Sequence, residues 1–556
     1  MKSFPGTETI AKPKPENNQK SIRPILVMLG FLFAFVILSL SLTSKSPSPE
    51  RCVAIFQNVA TFFFLACIVR LGRPVAGYNL EPAQASRKAL ALPLAAGAFV
   101  WAGSIATYFI SDDFGHLRAM SSPLESIVWN NLVLGQAHTF IRPIGFLSLG
   151  LDYRLFHHWA PGYHITSLLL HLAAVAGIFF LCRELGLATE TCTMAGLFFS
   201  VLPINAEAIV WMACRFDQIA TPLIVWSLFA YTRFRITGKN AFFMLALLFF
   251  VVAVFSKESA YVLPVVVLLL EAALMRPRRW LPVAVFFGLA ALCFLYRWFV
   301  FGGIGGYREA SGASSALHVT ANTFKALLLR APAETLFGLN WLQPTKQITI
   351  LIAVGIAALL LPLCIYPVRK LRQLSWFAIG WILVAPVPAH SMARVGADLG
   401  NSRELYFASA GTAILLALLV ANIVQVHLRR IACALLALVF SFGACHNLVA
   451  WQFDSAMSRR LPAEIIRLYP QPPPRTEFEI TGLPRSFRGI YFYQTGLEAA
   501  VQLAYRRNDI AVHRSSDPQD FPETNKAVVK LCFLGDRKEE GELAFCQKNE
   551  PPALSP

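Results

Sequence analysis

Residues 89–113 read ALALPLAAGAFVWAGSIATYFISDD, twenty-three positions without a charge followed by two adjacent aspartates. A helix rises about 1.5 Å per residue, so such a stretch is long enough to cross a hydrocarbon core of roughly 30 Å. The reading is a membrane-spanning helix, with Asp112 and Asp113 placed where it leaves the bilayer. Twelve further stretches read the same way: 24–43, 52–69, 162–182, 192–210, 218–232, 240–256, 259–275, 280–299, 347–368, 374–390, 407–426 and 431–451. The sequence therefore predicts an all-α polytopic membrane protein of about thirteen spans.

Composition agrees. Of 556 residues, 56% are hydrophobic and 15% charged, with a mean hydropathy of +0.54. Soluble domains hold about 25% charged residues, so soluble, disordered and fibrous classes are excluded. The net charge of +17 invites a nucleic-acid partner, but its distribution argues otherwise. Segments 1–23, 70–88, 183–190, 233–239, 271–279, 369–372 and 427–430 hold 21 Lys/Arg against 6 Asp/Glu. The other segments before residue 452 hold 14 against 12, and residues 452–556 hold 14 against 14. An excess confined to alternate short loops is the positive-inside pattern. No nucleic acid is expected; the partners are membrane lipids and whatever the outer face binds.

With the basic loops inside, residues 1–23 form a cytoplasmic arm and an odd number of spans puts 452–556 outside. Residues 24–451 form the transmembrane domain, with long external loops at 111–161 and 300–346. The first loop reads as helices on the membrane surface, and 322–340 in the second as an interfacial helix. The tail has QPPP at 471–474 and mixed segments such as FRGIYFYQ, and reads as a small extracytoplasmic α/β domain. Its Cys532 and Cys546 flank a polar turn and are expected to form a disulfide in an oxidising compartment. The cysteines inside apolar runs read as inert packing.

Charged residues gather at the outer ends of the spans: Asp112, Asp113, His138, Arg142, Glu207, Arg215, Asp217, Lys257, Glu258 and Arg403. A single such residue ordinarily marks a membrane boundary. Glu207 is harder to explain that way, because a carboxylate after an apolar stretch is costly unless paired or functional. A carboxylate can accept a hydroxyl proton, and arginines hold phosphate through forked hydrogen bonds. Together they suggest transfer from a phosphate-bearing donor. His164 and His171 read as helix-packing histidines. No zinc spacing is present; a divalent metal is left open, and no other cofactor is expected.

The order SDDFGHL, HxxxRPIGFLSLGLDYRLF, GYHITSLLLH, LFFSVLPINAEAIVWMACRFDQI, SKESAYVLP and SRELYFASAG resembles the polytopic GT-C glycosyltransferases, which use lipid-linked sugars. It is most similar to bacterial relatives of the transmembrane, tetratricopeptide-repeat O-mannosyltransferases, over about residues 89–430. Leu202 stands where that pattern has a histidine, and the tail resembles the C-terminal domain of aminoarabinose transferases and oligosaccharyltransferase subunits instead of repeats. The resemblance implies transfer from a polyprenyl-phosphate sugar to an extracytoplasmic acceptor with inversion, in a bacterial inner membrane. It makes Asp112 or Asp113 the catalytic carboxylate and Arg403 a donor-phosphate ligand. Glu207, Arg215, Asp217, Lys257 and Glu258 would line the cavity, and His138 and Arg142 would guide lipid or acceptor. A flippase of lipid-linked sugars or a non-catalytic envelope scaffold are the rival classes. A flippase would be expected to carry its charges near the midplane.

Overall fold

The computed structural model describes residues 60–61, 87–133, 140–306, 327, 330–338, 369–390, 395, 399–487, 489–514, 528–533 and 545–547. The expected arm at 1–23, the spans at 24–43 and 347–368, and His138 lie outside the described residues, as does nearly all of the span at 52–69. What is described is mainly helical: α1 (Ala91–Trp101), α2 (Asp112–Met120), α3 (Leu124–Val133), α4 (Pro143–Phe156), α5 (Ala160–Glu184), α6 (Thr189–Val201), α7 (Ala206–Val210), α8 (Arg215–Thr237), α9 (Asn240–Val254), α10 (Leu263–Leu274), α11 (Trp280–Phe301), α12 (Ala331–Leu336), α13 (Arg369–Val384), α14 (Val387–His390), α15 (Tyr406–Ala421) and α16 (Val426–Leu468).

Five helical segments among the described residues are long and apolar enough to cross a membrane: Lys88–Ala106, α5, α11, Ser402–Ala421 and α16. A sixth is broken, its halves Thr189–Val201 and Pro203–Val210 meeting at 48°. Pro203 has no N–H to continue the ladder of α6, and the chain turns there. The groups freed by the break are satisfied by side chains. Asn205 Nδ2 donates to the Phe199 carbonyl (3.0 Å), and Asn447 Nδ2 to the carbonyls of Pro203 (3.0 Å) and Gly338 (2.9 Å). Helices α8 to α10 and α13 fall on the other expected spans at 218–232, 240–256, 259–275 and 374–390.

One apolar core runs through α1, α5, α6, α8, α10, α13, α15 and α16, with Trp101, Phe179, Phe198, Tyr231, Trp381 and Leu436 fully buried. The expected histidines are in it as packing partners. His164 meets Thr107 Oγ1 at 2.9 Å, and His171 meets the Tyr406 hydroxyl at 2.8 Å. The segment expected to lie on the membrane surface at 322–340 is partly described, and there it differs. Every residue of α12 is buried, and Thr335 shares a hydrogen bond with Thr412 of α15 (2.8 Å). Its apolar residues outweigh the Glu334 charge, which is paired to Arg330 on the preceding turn.

Residues 111–133 and 140–161, read from the sequence as helices on the membrane surface, hold α2, α3, α4 and the start of α5. The boundary at residue 452 is not a break in the chain. Helix α16 continues through it for 43 residues in all. Beyond it lie β1 (Glu477–Thr481), β2 (Ser486–Phe487), β3 (Ile490–Tyr491), α17 (Leu497–Tyr505), β4 (Ala511–Arg514), β5 (Val528–Phe533) and β6 (Phe545–Gln547). The sheet order is β4-β1-β5-β6, with β1 parallel to both neighbours and β6 antiparallel to β5. Strand β1 alternates Phe478 and Ile480 inward against Glu477 and Glu479, the period-two pattern of a half-buried strand. A second apolar core joins this domain to α2, α4 and the end of α16. It combines Phe114 and Leu117 of α2, Leu149 of α4, Leu461 of α16, Ile480 of β1 and Val501 of α17.

Candidate active site

Just past the break at Pro203, Glu207 is buried against the turn at Ser402 and Arg403. Its Oε2 accepts hydrogen bonds from Ser402 Oγ (3.0 Å) and the Arg403 backbone N–H (2.9 Å), and its Oε1 from the Arg403 guanidinium (2.5 Å). Glu207 is therefore a clamp on the start of α15. Arg403 also lies over the Trp211 ring at 5.1 Å, a cation–π placement.

The tight connection between α9 and α10 presents Lys257 and Glu258 to the same place. Lys257 Nζ bridges Asp217 Oδ2 (3.0 Å) and Glu404 Oε1 (3.2 Å), and Glu404 lies 3.6 Å from Arg403. Glu258 accepts a forked pair of bonds from Arg142 (2.7 and 2.9 Å) and a third from Arg297 (3.0 Å). Burial alone would raise the Glu258 carboxyl, but the Arg142 and Arg297 charges outweigh it and bring it down to about 2. The sequence placed Glu207, Asp217, Lys257, Glu258, Arg142 and Arg403 at one face; the structure links Asp217, Lys257, Glu404, Arg403 and Glu207 in one chain of ion pairs and Arg142, Glu258 and Arg297 in a second, the two meeting at the adjacent residues Lys257 and Glu258. Arg142 and Arg403 keep 15% and 17% of their side chains exposed, and so form the accessible edge of this network.

Arg215 is different. It is wholly buried, and its guanidinium reaches Asp152 (2.5 Å), Ser148 (3.0 Å), Ser167 (3.3 Å), Gln218 (3.3 Å) and the Tyr163 carbonyl (2.9 Å). Its donors are committed to the protein. These bonds tie α8 to α4 and α5.

The two aspartates divide in the same way. Asp113 is buried; Oδ2 accepts the Ile110 N–H (2.9 Å) and Oδ1 the Ala213 N–H (2.8 Å). Burial pushes its carboxyl well above the usual carboxylate range; the two backbone N–H groups oppose this, and the Asp112 charge adds to it. Asp113 thus fastens α2 to the segment before α8. Asp112 is partly exposed at the first turn of α2 and accepts a hydrogen bond from Thr495 Oγ1. One turn along the same face is His116, edge-on to the Phe146 and Phe216 rings at 5.7 Å each. Burial lowers the His116 pKa; the Asp112 charge raises it and the Arg142 charge lowers it.

Several residues here were missed from the sequence. Arg297 was legible as a lone charge in an apolar span. His116 was legible as the residue one turn from Asp112. Thr495 and Ser402 carried no signal. Hydroxyl residues are common, and Thr495 is 383 positions from its partner. Among the described residues no three His, Cys, Asp or Glu side chains converge as a metal site would require. Asp112 and His116 alone do not make one.

No family model matches the sequence. Sequence relatives include Protein O-mannosyl-transferase Tmtc1 of Drosophila melanogaster, 26% identical over 144 residues (26% of this chain, 17% of the relative). TMTC3 of Homo sapiens is 27% identical over 140 residues, 24% of this chain and 15% of that protein. The tmtc2 protein of Xenopus laevis is 29% identical over 154 residues, 26% and 18% respectively. All three are named as protein O-mannosyl-transferases. The chain spans less than a fifth of the length of these relatives. Solved structures with some likeness include ArnT from Cupriavidus metallidurans bound to undecaprenyl phosphate. There the TM-score is 0.47 and the identity 11%, over 78% of this chain and 87% of that one. The arabinofuranosyltransferase AftD from Mycobacteria gives 0.46 and 15%, over 79% and 32%.

Proposed function

We propose that the chain is an integral membrane glycosyltransferase that moves a sugar from a polyprenyl-phosphate donor to an acceptor on the outer face of a bacterial inner membrane. The observation that carries this reading is the nearness of one partly exposed carboxylate, Asp112, to the partly exposed guanidiniums of Arg142 and Arg403: Asp112 and Arg142 both act on His116, and Arg403 lies over the Trp211 ring, whose N–H donates to the carbonyl of Ile110 (3.2 Å), two residues before Asp112. An acceptor hydroxyl attacks the anomeric carbon and gives its proton to Asp112. The bond from that carbon to the phosphate oxygen breaks, and the polyprenyl phosphate leaves with its charge against Arg142 and Arg403. Single displacement of this kind inverts the anomeric centre. The buried pairs behind the arginines hold them in position, so little reorganisation accompanies the charge shift. The sequence relatives named as O-mannosyltransferases support the sugar-transfer class.

The test is the purified full chain in vesicles with radiolabelled polyprenyl-phosphate sugars and extracted envelope acceptors. Label moving into an acceptor, with loss of the lipid-bound form, is the expected result. Label crossing the bilayer while still lipid-linked would replace the reading with a flippase. Reporter fusions after residues 372 and 556 should read cytoplasmic and external; a cytoplasmic signal at 556 would overturn the placement of the site.

A further inference from the structure

We infer that the C-terminal domain supplies part of this site: Thr495 is a positioning residue for Asp112, and Gly496 is what lets it reach. The inference rests on the glycosyl-transfer reading and extends it to a residue outside the transmembrane domain.

The chain between α1 and α2 turns at Ser111, which has φ +50° and ψ −113°. This is a backbone state that a residue with a side chain adopts only when its surroundings impose it. The surroundings come from the C-terminal domain. Ser111 Oγ accepts the Thr495 backbone N–H at 3.3 Å and lies 3.4 Å from the Thr495 carbonyl. The Thr495 hydroxyl donates to Asp112 Oδ1. Gly496 has φ +77°, and a Cβ there would lie 2.2 Å from the Ser111 carbonyl oxygen, so only glycine permits the approach.

Further contacts fix the rest of α2. The Phe114 ring stacks on Tyr493 with centroids 5.6 Å apart, and the Tyr493 hydroxyl donates to the Ser458 carbonyl of α16 at 2.5 Å. Arg118 donates to Gln502 Oε1 of α17 at 2.7 Å. Asp113 anchors the helix start from the other side, through Ala213. Asp112 therefore sits on a helix gripped by both domains. The Thr495 bond takes Oδ1, and among the described residues nothing bonds Oδ2. That leaves one carboxylate oxygen aimed for an incoming proton.

The experiment uses the full chain in vesicles, comparing wild type with Thr495→Val, Thr495→Ser and Gly496→Ala. Three quantities are read: kcat and donor KM, the melting temperature, and amide hydrogen exchange across residues 110–116. Thr495→Val should lower kcat roughly 10- to 100-fold with donor KM and melting temperature unchanged, because a misaimed base costs about that much. Thr495→Ser should restore most of it. Gly496→Ala should lower kcat and raise exchange across 110–116. A Thr495→Val variant with wild-type kcat overturns the inference. So does a loss that tracks the melting temperature and is not rescued by serine. A wild type that transfers no sugar, while Gly496→Ala still loosens 110–116, overturns the transfer reading and leaves the grip of the domain on α2 standing.

Discussion

Asp112 and Asp113 are adjacent in the chain and opposite in role: Asp113 turns inward onto the N–H groups of Ile110 and Ala213, while Asp112 turns outward to Thr495 and the open mouth. Their Asn variants should therefore fail differently. Asp112→Asn keeps the shape and loses the base, so transfer should fall on the order of 10²–10⁴-fold at an unchanged melting temperature. Asp113→Asn sets an amide NH₂ against a backbone N–H, a mismatch costing about 1–3 kcal/mol. Rate per folded molecule and thermal unfolding, measured on both, separate the two. Transfer lost in Asp113→Asn alone would move the base to that residue.

Lys257 touches both Asp217 and Glu404 (3.0 and 3.2 Å) and, among the described residues, is the cation that bridges them. Lys257→Met should destabilise the protein by about 3–5 kcal/mol, the usual result of leaving buried carboxylates without their partner. Adding Asp217→Asn should recover part of the loss. Thermal unfolding of the two single variants and the double variant gives the coupling directly; independent, additive losses would show that the bridge contributes nothing.

Glu258 carries a pH signature. Its carboxyl lies at about 2 in the folded protein against an ordinary 4.5. A depressed carboxyl contributes stability above its unfolded value and loses it as pH falls toward the folded one. Glu258→Gln should therefore lower the melting temperature at neutral pH. The gap to wild type should close between about pH 4.5 and pH 2. A gap that stays constant through that window would place the stabilisation elsewhere.

Strands β5 and β6 pair antiparallel in a register that sets Cys532 opposite Cys546. Cross-strand neighbours in such ladders are within the Cα separation a disulfide requires. Thiol labelling of the folded protein should leave both cysteines unreactive until reduction. Labelling of either before reduction would mean the pair is open, and with it the external placement of the domain would lose its redox support.

The helices were legible because a charge-free run of about twenty residues has few other uses in a folded chain. The outer-face charges were legible for the same reason, since each stands against an apolar background. Their partners were less so. Which of two adjacent aspartates faces inward depends on the φ of Ser111, set by a turn 384 residues away. Arg215 and Arg403 look alike in sequence; one has Asp152, Ser148 and Ser167 closing over it, and the other has an open side. The burial of α12 was hidden because its charged residues pair within their own turn, which periodicity does not reveal.

Helix α16 is continuous from Val426 to Leu468, about 64 Å at 1.5 Å per residue. It runs like a shaft from the first apolar core to the C-terminal domain, and a shaft transmits angle as well as position. One residue inserted into its upper half, between the membrane core and the Tyr493–Ser458 contact, would turn everything beyond it by about 100°. Thr495 would swing away from Asp112. Insertions of three or four residues bring the domain nearly back into phase, though a turn higher. Length changes along this helix should thus be tolerated with the periodicity of the helix itself.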